Sequence, residues 1–330
     1  MAVTDGTIAE RPARGVRAFA WAMVAATFAY IINNFLIVWL EFTPPSALFA
    51  GELGGMIPLA VYAVAIGLAV FSVISRPGTT LRTEAETISN IARFIIRAAF
   101  WCVFLVGLAD AAVSFLRVEE MLGALVGQET ADGWNFNRGR APELHGPLIV
   151  LGIVIAAVTR GTLAFQWLAL LVVIAELNIV LCRFIFSYEQ AFMGDLVRFW
   201  YGALFLFASA YTLLEDGHVR VDVLYAGMQN RAKGFINAWG SIVLGIIFCW
   251  VILTLGMETR SSAINAPLIS LEVSQSGFGM YVKYLMAGFL GIFAVTMMIQ
   301  FCSYLLESVA DWRGEPGSRL NQNDGELPGH

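Results

Sequence analysis

The sequence predicts an all-α integral membrane protein of about eight transmembrane helices, and three observations predict it. Of its 330 residues, 58% are hydrophobic and only 14% are charged, against about 45–50% and about 25% in soluble domains. The apolar residues gather in runs long enough to cross a hydrocarbon layer of roughly 30 Å as helices. The charges collect between those runs. A spanning helix satisfies its own backbone N–H and C=O groups and can turn apolar side chains to lipid. The formal charge of −5 is dispersed over the loops and carries no message about partners, and no basic block points to nucleic acid.

The first run extends from about Arg17 to Leu40 and is stopped by Pro44-Pro45, which cannot continue a helix. It is too long for the apolar region of a signal peptide, so it is expected to remain as a spanning helix. The second extends from about Met56 to Ser75 and ends at Arg76-Pro77-Gly78. Thr83 and Glu86 have capping-box spacing, which starts a third helix near Glu84; it is in the membrane from about Ile95 to Arg117. Residues 118–146 read as a polar loop whose Trp134, Phe136 and Arg138 suit an interfacial aromatic belt.

From Pro147 to Phe186 only Arg160-Gly161 interrupts the apolar residues. One helix of that length would rise about 60 Å, twice the hydrocarbon thickness. A hairpin at Arg160-Gly161 is therefore expected, between helices at 147–159 and 163–186. A seven-span arrangement with one interfacial helix is the alternative. The last three spans are expected at about 192–214, 234–256 and 279–307, and the polar tail at 311–330 is expected to be disordered.

With eight spans and the N-terminus inside, the inner segments hold thirteen Lys and Arg residues, and the outer loops hold four, Arg117, Arg138, Arg140 and Arg260. The positive-inside rule then puts both termini in the cytoplasm. By character the chain divides into residues 1–145, with about three spans and long loops, and residues 146–310, richer in polar pattern, before the tail.

Cys102, Cys182, Cys249 and Cys302 each fall in a different apolar run and form no CxxC pair, so they read as small core or lipid-facing residues. Only His145, His218 and His330 are available to a haem, and none pairs with another inside the spans. These facts argue against a membrane redox enzyme.

Four groups of polar residues stand out. Glu176 lies near the middle of its span and needs a partner. Arg183, seven residues on, returns to the same helix face; a structural contact to another helix and a role in coupling or partner contact are the readings for Glu176. Asp195 and Arg198, three apart, are neighbours on one face and suit an ion pair near the outer interface. Asn33-Asn34 and Asp110 suit polar contacts between helices. The densest cluster is Gly217-His218-Val219-Arg220-Val221-Asp222-Val223, between two long apolar segments. Gly217 fits the C′ position that ends a helix. If the backbone after it is extended, His218, Arg220 and Asp222 share a side. Such a trio can lock helix ends or a partner through charge-assisted hydrogen bonds; a plain helix-stop loop and a direct role in proton or ion handling are the other readings.

The order of these elements resembles a known family. Arg183-Phe184-Ile185-Phe186-Ser187 closes one helix, and Asp195-Leu196-Val197-Arg198-Phe199 opens the next after a short outer turn. That helix closes on Tyr211 to Asp222, with the Gly-His-x-Arg-x-Asp turn as its most specific part, and a last helix opens near Gly277 with Tyr284-Leu285 and Gly288 to Gly291. Over about residues 163–308 the pattern is similar to the small membrane subunit, DctQ type, of tripartite ATP-independent periplasmic (TRAP) transporters. The resemblance implies a noncatalytic scaffold subunit in a bacterial inner membrane, part of a sodium-coupled system importing organic anions such as carboxylates. Its implied partners are a large M-type permease subunit, which holds the substrate and sodium, a periplasmic substrate-binding protein, and lipid. No cofactor is expected on this chain. The N-terminal spans depart from the family pattern. A self-sufficient channel or transporter is the alternative, against which stand the lack of internal repeats, of broken helix pairs and of several midplane charges.

Overall fold

The computed structural model describes residues 13–159, 166–214, 225, 227–274 and 278–318. Among them there is no strand, and eight helices are long and apolar enough to cross a membrane: α1 (Arg14–Trp39), α2 (Leu53–Ser75), α3 (Leu81–Val118), α4 (Asn137–Val158), α5 (Gln166–Phe186), α6 (Ala191–Leu213), α7 (Asn230–Met257) and α8 (Lys283–Arg313). This is a multi-pass membrane protein, and the expected all-helical class and eight spans are the ones found. The expected hairpin at Arg160-Gly161 and most of the tail lie outside the described residues.

Several boundaries differ from expectation; α7 begins at Asn230 rather than 234, and α8 spans Lys283–Arg313 rather than 279–307, so the first three residues of the expected tail are helical. The third helix starts at Leu81 rather than near Glu84, because Thr80 and not Thr83 caps it: the Thr83 backbone N–H donates to Thr80 Oγ1 at 3.2 Å. The fourth starts ten residues before Pro147, at Asn137. The expected loop at 118–146 is itself helical in pieces, Leu122–Val126 and Gln128–Trp134 preceding α4.

The chain folds as two compact units. The first comprises residues 1–91, 216–251 and 297–330. Within it α1 and α2 pair along their length, and Asn33 Nδ2 donates to the Pro58 carbonyl at 2.9 Å. Arg17, buried, holds both carboxylate oxygens of Glu84 at 2.6 and 2.9 Å and also donates to the Arg76 carbonyl at 2.7 Å. Ser89 and Ser303 meet at 2.7 Å, and Arg82 pairs with Asp311 at 2.8 Å. Gly234 lets α7 approach the backbone of α8 closely, since a Cβ there would stand 2.5 Å from the Trp312 nitrogen. Small residues and interhelical polar bonds are what hold helices together in lipid, where burial of apolar surface gives little drive.

The second unit comprises residues 92–215 and 252–296. Its core is built from Phe100, Val103 and Val106 of α3, Phe199, Trp200, Ala203 and Phe207 of α6, and Phe289 of α8. Gly107 makes room for the Trp200 indole, whose Nε1 donates to the Val103 carbonyl at 3.3 Å. Gly152 packs directly on the Cys102 backbone, which sets a close crossing of α3 and α4. By contrast α5 packs through one stripe, with Leu168 and Ala175 buried and Val172, Ile179 and Cys182 partly so. Only 11% of its apolar window is covered.

Candidate functional site

The most heavily bonded place in the second unit is the short segment 279–282 that leads into α8. Gly279 offers its carbonyl to Arg117 Nη2 at 3.0 Å. The next N–H, of Met280, donates to Asp195 Oδ2 at 3.0 Å, and that of Tyr281 donates to Asp110 Oδ2 at 2.7 Å. Two carboxylates from α6 and α3 therefore hold consecutive backbone N–H groups that precede a helix and lack partners in it. Tyr281 donates its hydroxyl to the Asn135 carbonyl at 2.8 Å, while the guanidinium carbons of Arg140 and Arg117 lie 4.2 and 4.9 Å from its ring centre.

Behind this segment Asp110 organises a fully buried knot. Arg140 Nη1 lies 2.9 Å and His145 Nε2 3.2 Å from Asp110 Oδ1. Arg140 also donates to Ser114 Oγ at 3.2 Å and to the Trp134 carbonyl at 2.9 Å, and His145 Nδ1 meets the Tyr284 hydroxyl at 2.9 Å. An ionised Asp110 can only accept, so it requires the proton on His145 Nε2. In a neutral ring Nδ1 then accepts from Tyr284. The Asp110 carboxylate and the Arg140 guanidinium balance in charge, which is what a buried cluster in a membrane demands.

The local fold explains how Arg140 and His145 reach the same atom. Five residues along a regular α-helix leave two side chains about 140° apart. Residues Ala141–His145 instead form a π turn, with the Gly146 N–H bonded to the Ala141 carbonyl, and i and i+5 come onto one face. Pro142, which lacks an N–H, sits at the start of this turn. Sequence reasoning assigned Asp110 to helix contacts and left Arg140 and His145 in a loop. The available signal was that a carboxylate inside a span calls for a cation, and Arg140 lies at the start of the next apolar run.

The expected residues fare differently. Asp195 and Arg198 do pair, at 3.2 Å, with Asp195 nearly covered and the Arg198 side chain 75% exposed. They line a recess of about 580 Å³ together with Glu272, Ser274, Met280 and Lys283, where Lys283 pairs with Glu272 at 2.5 Å. Arg183 is not brought to Glu176; it lies 3.3 Å from Glu189, both largely exposed. Seven residues rise about 10 Å along a helix, too far for that contact. Glu176 itself is exposed and has no hydrogen bond or ion pair among the described residues. An ionised carboxylate at that depth in lipid costs at least ~2.5 kcal/mol. In the turn between α5 and α6, Tyr188 donates to Glu119 at 2.8 Å, and burial together with that carboxylate pushes its phenol up to about 12, so the link stays protonated at neutral pH. Gly217, His218, Arg220 and Asp222 lie outside the described residues.

What this arrangement can do chemically is bind and position. Residues 169–311 match the family described as tripartite ATP-independent periplasmic transporters, DctQ component. The match covers α5 almost entirely, all of α6 and α7, and nearly all of α8, and it includes Asp195, the 279–282 segment and Tyr284. No curated protein and no solved structure matches the chain.

Proposed function

We infer from the DctQ-component domain at residues 169–311 that the chain is the small membrane subunit of a TRAP-type secondary transporter, a noncatalytic scaffold for a larger M-type permease subunit. In this reading the system is sodium-coupled, imports organic anions such as carboxylates, and receives them from a periplasmic binding protein. The substrate and the sodium lie in the larger subunit. The membrane is a bacterial inner membrane, with both termini on the cytoplasmic side, as the distribution of Lys and Arg favours. The spans before residue 146 enlarge the scaffold. Gly217, His218, Arg220 and Asp222 lie on the cytoplasmic side and hold helix ends or the partner.

The observation that carries this reading is the family match, and the geometry of the second unit supports it. Its buried Asp110 and Asp195 carboxylates are bonded to Arg140, His145, Arg198 and backbone N–H groups of the 279–282 segment, which is how a fixed support is built rather than a site that must bind and release a solute. The test is purification in mild detergent after coexpression with a candidate M-type permease subunit from the same source, followed by reconstitution. Recovery of a complex whose sodium-driven uptake needs both chains is expected. Uptake by this chain alone would establish the self-sufficient transporter instead.

A further inference from the structure

We propose that the outward face of α5 is the seam along which this chain receives a spanning helix of its larger partner subunit, and that Glu176 is the polar anchor of that seam, bonded by a Lys, Arg, amide or hydroxyl donor at mid-membrane depth. The proposal rests on the subunit reading above and adds to it the helix, the face and the partner's chemistry.

Four observations carry it. Glu176 is the eleventh of the 21 residues of α5, about 15 Å of helix rise from either end. At that depth its side chain is too short to bring the carboxylate to the headgroups. It points away from the second unit's core: Leu168 and Ala175 are buried, whereas Val173, Glu176, Leu177, Val180 and Phe184 are all exposed. Those five follow the spacing i, i+3, i+4, i+7, i+11, a single continuous face of the kind by which one helix lies against another. Finally, Glu176 has no partner among the described residues, and Arg183 on its own helix is engaged with Glu189.

Charge decides between the possible occupants of this face. Lipid tails offer an acidic side chain no hydrogen-bond donor and no countercharge. A second copy of the chain meeting the first across a two-fold axis would bring two Glu176 carboxylates together, and like charges in a low dielectric repel. A helix of a different chain with a donor at the same depth is the complementary occupant. The flanking apolar residues would pack on either side of that contact and exclude lipid from it.

The experiment uses the complete chain coexpressed with the larger subunit in native membranes. A photoreactive phenylalanine analogue is placed at Val173 or Val180, beside Glu176, and for comparison at Val64, exposed on α2. Irradiation is expected to yield an adduct of this chain with the larger subunit from 173 and 180 and little from 64. An adduct at twice the mass of this chain, or adducts with lipid only, would overturn the proposal. In parallel, Glu176→Leu is expected to lower recovery of the larger subunit about three- to thirty-fold, the range for one interhelical polar contact in a membrane. Glu176→Gln, which keeps an acceptor, is expected to lower it less. Full recovery with Glu176→Leu would also overturn the assignment. If the unsubstituted chain fails to recover the larger subunit, the subunit reading itself falls. If it recovers that subunit but cross-links to it only through other helices, the reading stands and the α5 seam does not.

Discussion

Asp110 and Glu176 are both carboxylates within spanning helices of the same unit, and the fold treats them in opposite ways. Asp110 is wholly buried, with both oxygens bonded to Arg140, His145 and the Tyr281 N–H. Glu176 is exposed, with no bond among the described residues. The first is a solved problem: the chain supplies a countercharge, hydrogen bonds for the remaining lone pairs, and a π turn to aim them. The second is left for something else to solve. In lipid, where apolar packing distinguishes poorly between a neighbour helix and a tail, such a difference separates residues that hold the chain together from residues that hold it to another chain.

The largest expected effect comes from breaking the solved side. Arg140→Ala leaves the Asp110 carboxylate buried without its guanidinium, and removal of one partner from a buried pair costs about 3–5 kcal/mol. Thermal unfolding of the purified chain in detergent should show this as a marked fall in Tm. Arg140→Ala combined with Asp110→Leu should restore part of the loss, because the stranded charge is gone too. A loss below about 1 kcal/mol for Arg140→Ala alone would mean that the guanidinium is not what holds the buried Asp110 carboxylate.

A middle-sized effect is expected where Asp195 serves two partners of different worth. Its bond to the Met280 N–H is buried, so Asp195→Ala strands a buried donor at a cost of about 1–3 kcal/mol. Its bond to Arg198 reaches a side chain that is 75% exposed, and Arg198→Ala should change stability by no more than about 0.5 kcal/mol. Equal losses for the two variants would show that the ion pair, and not the grip on the 279–282 segment, is what Asp195 is for.

The same contrast explains what could be read in the amino-acid sequence. Hydropathy finds a span because length and composition alone decide whether a helix can lie in hydrocarbon, and so all eight were legible, as were the Asp195–Arg198 neighbours, which depend only on local helical spacing. Hydropathy fails where polar residues are buried by pairing with something distant. Residues 137–146 carry Arg138, Arg140, Glu143 and His145 and read as loop, yet α4 begins at Asn137, since Asp110 of another helix neutralises Arg140 there. The π turn is equally hidden, because an i to i+5 register has no strong residue signature beyond the proline at its start. The expected match of Glu176 with Arg183 failed on distance: sharing a helix face is an angular statement, and seven residues of rise separate the two groups. The cap of α3 was misplaced by three residues because Thr80 and Thr83 are both plausible caps, and only the hydrogen bond to Thr80 Oγ1 distinguishes them.

The smallest expected effect is the most informative about the unsolved side. In the isolated chain Glu176→Leu removes no hydrogen bond among the described residues, and it replaces a costly group with one suited to lipid or detergent tails. Its stability should therefore change by less than about 0.5 kcal/mol, as for other exposed substitutions, or rise slightly. The comparison is with Asp110→Leu, which strands Arg140, His145 and the Tyr281 N–H together and should be severely destabilising. If Glu176→Leu proved equally damaging to the isolated chain, measured by unfolding in the same detergent, Glu176 would have a partner within this chain. The distinction between a carboxylate satisfied inside and one presented outward would then disappear. If instead the substitution is silent alone and costly only when the larger subunit is present, the free energy of Glu176 belongs to the complex, and the exposed face of α5 exists for the sake of that complex.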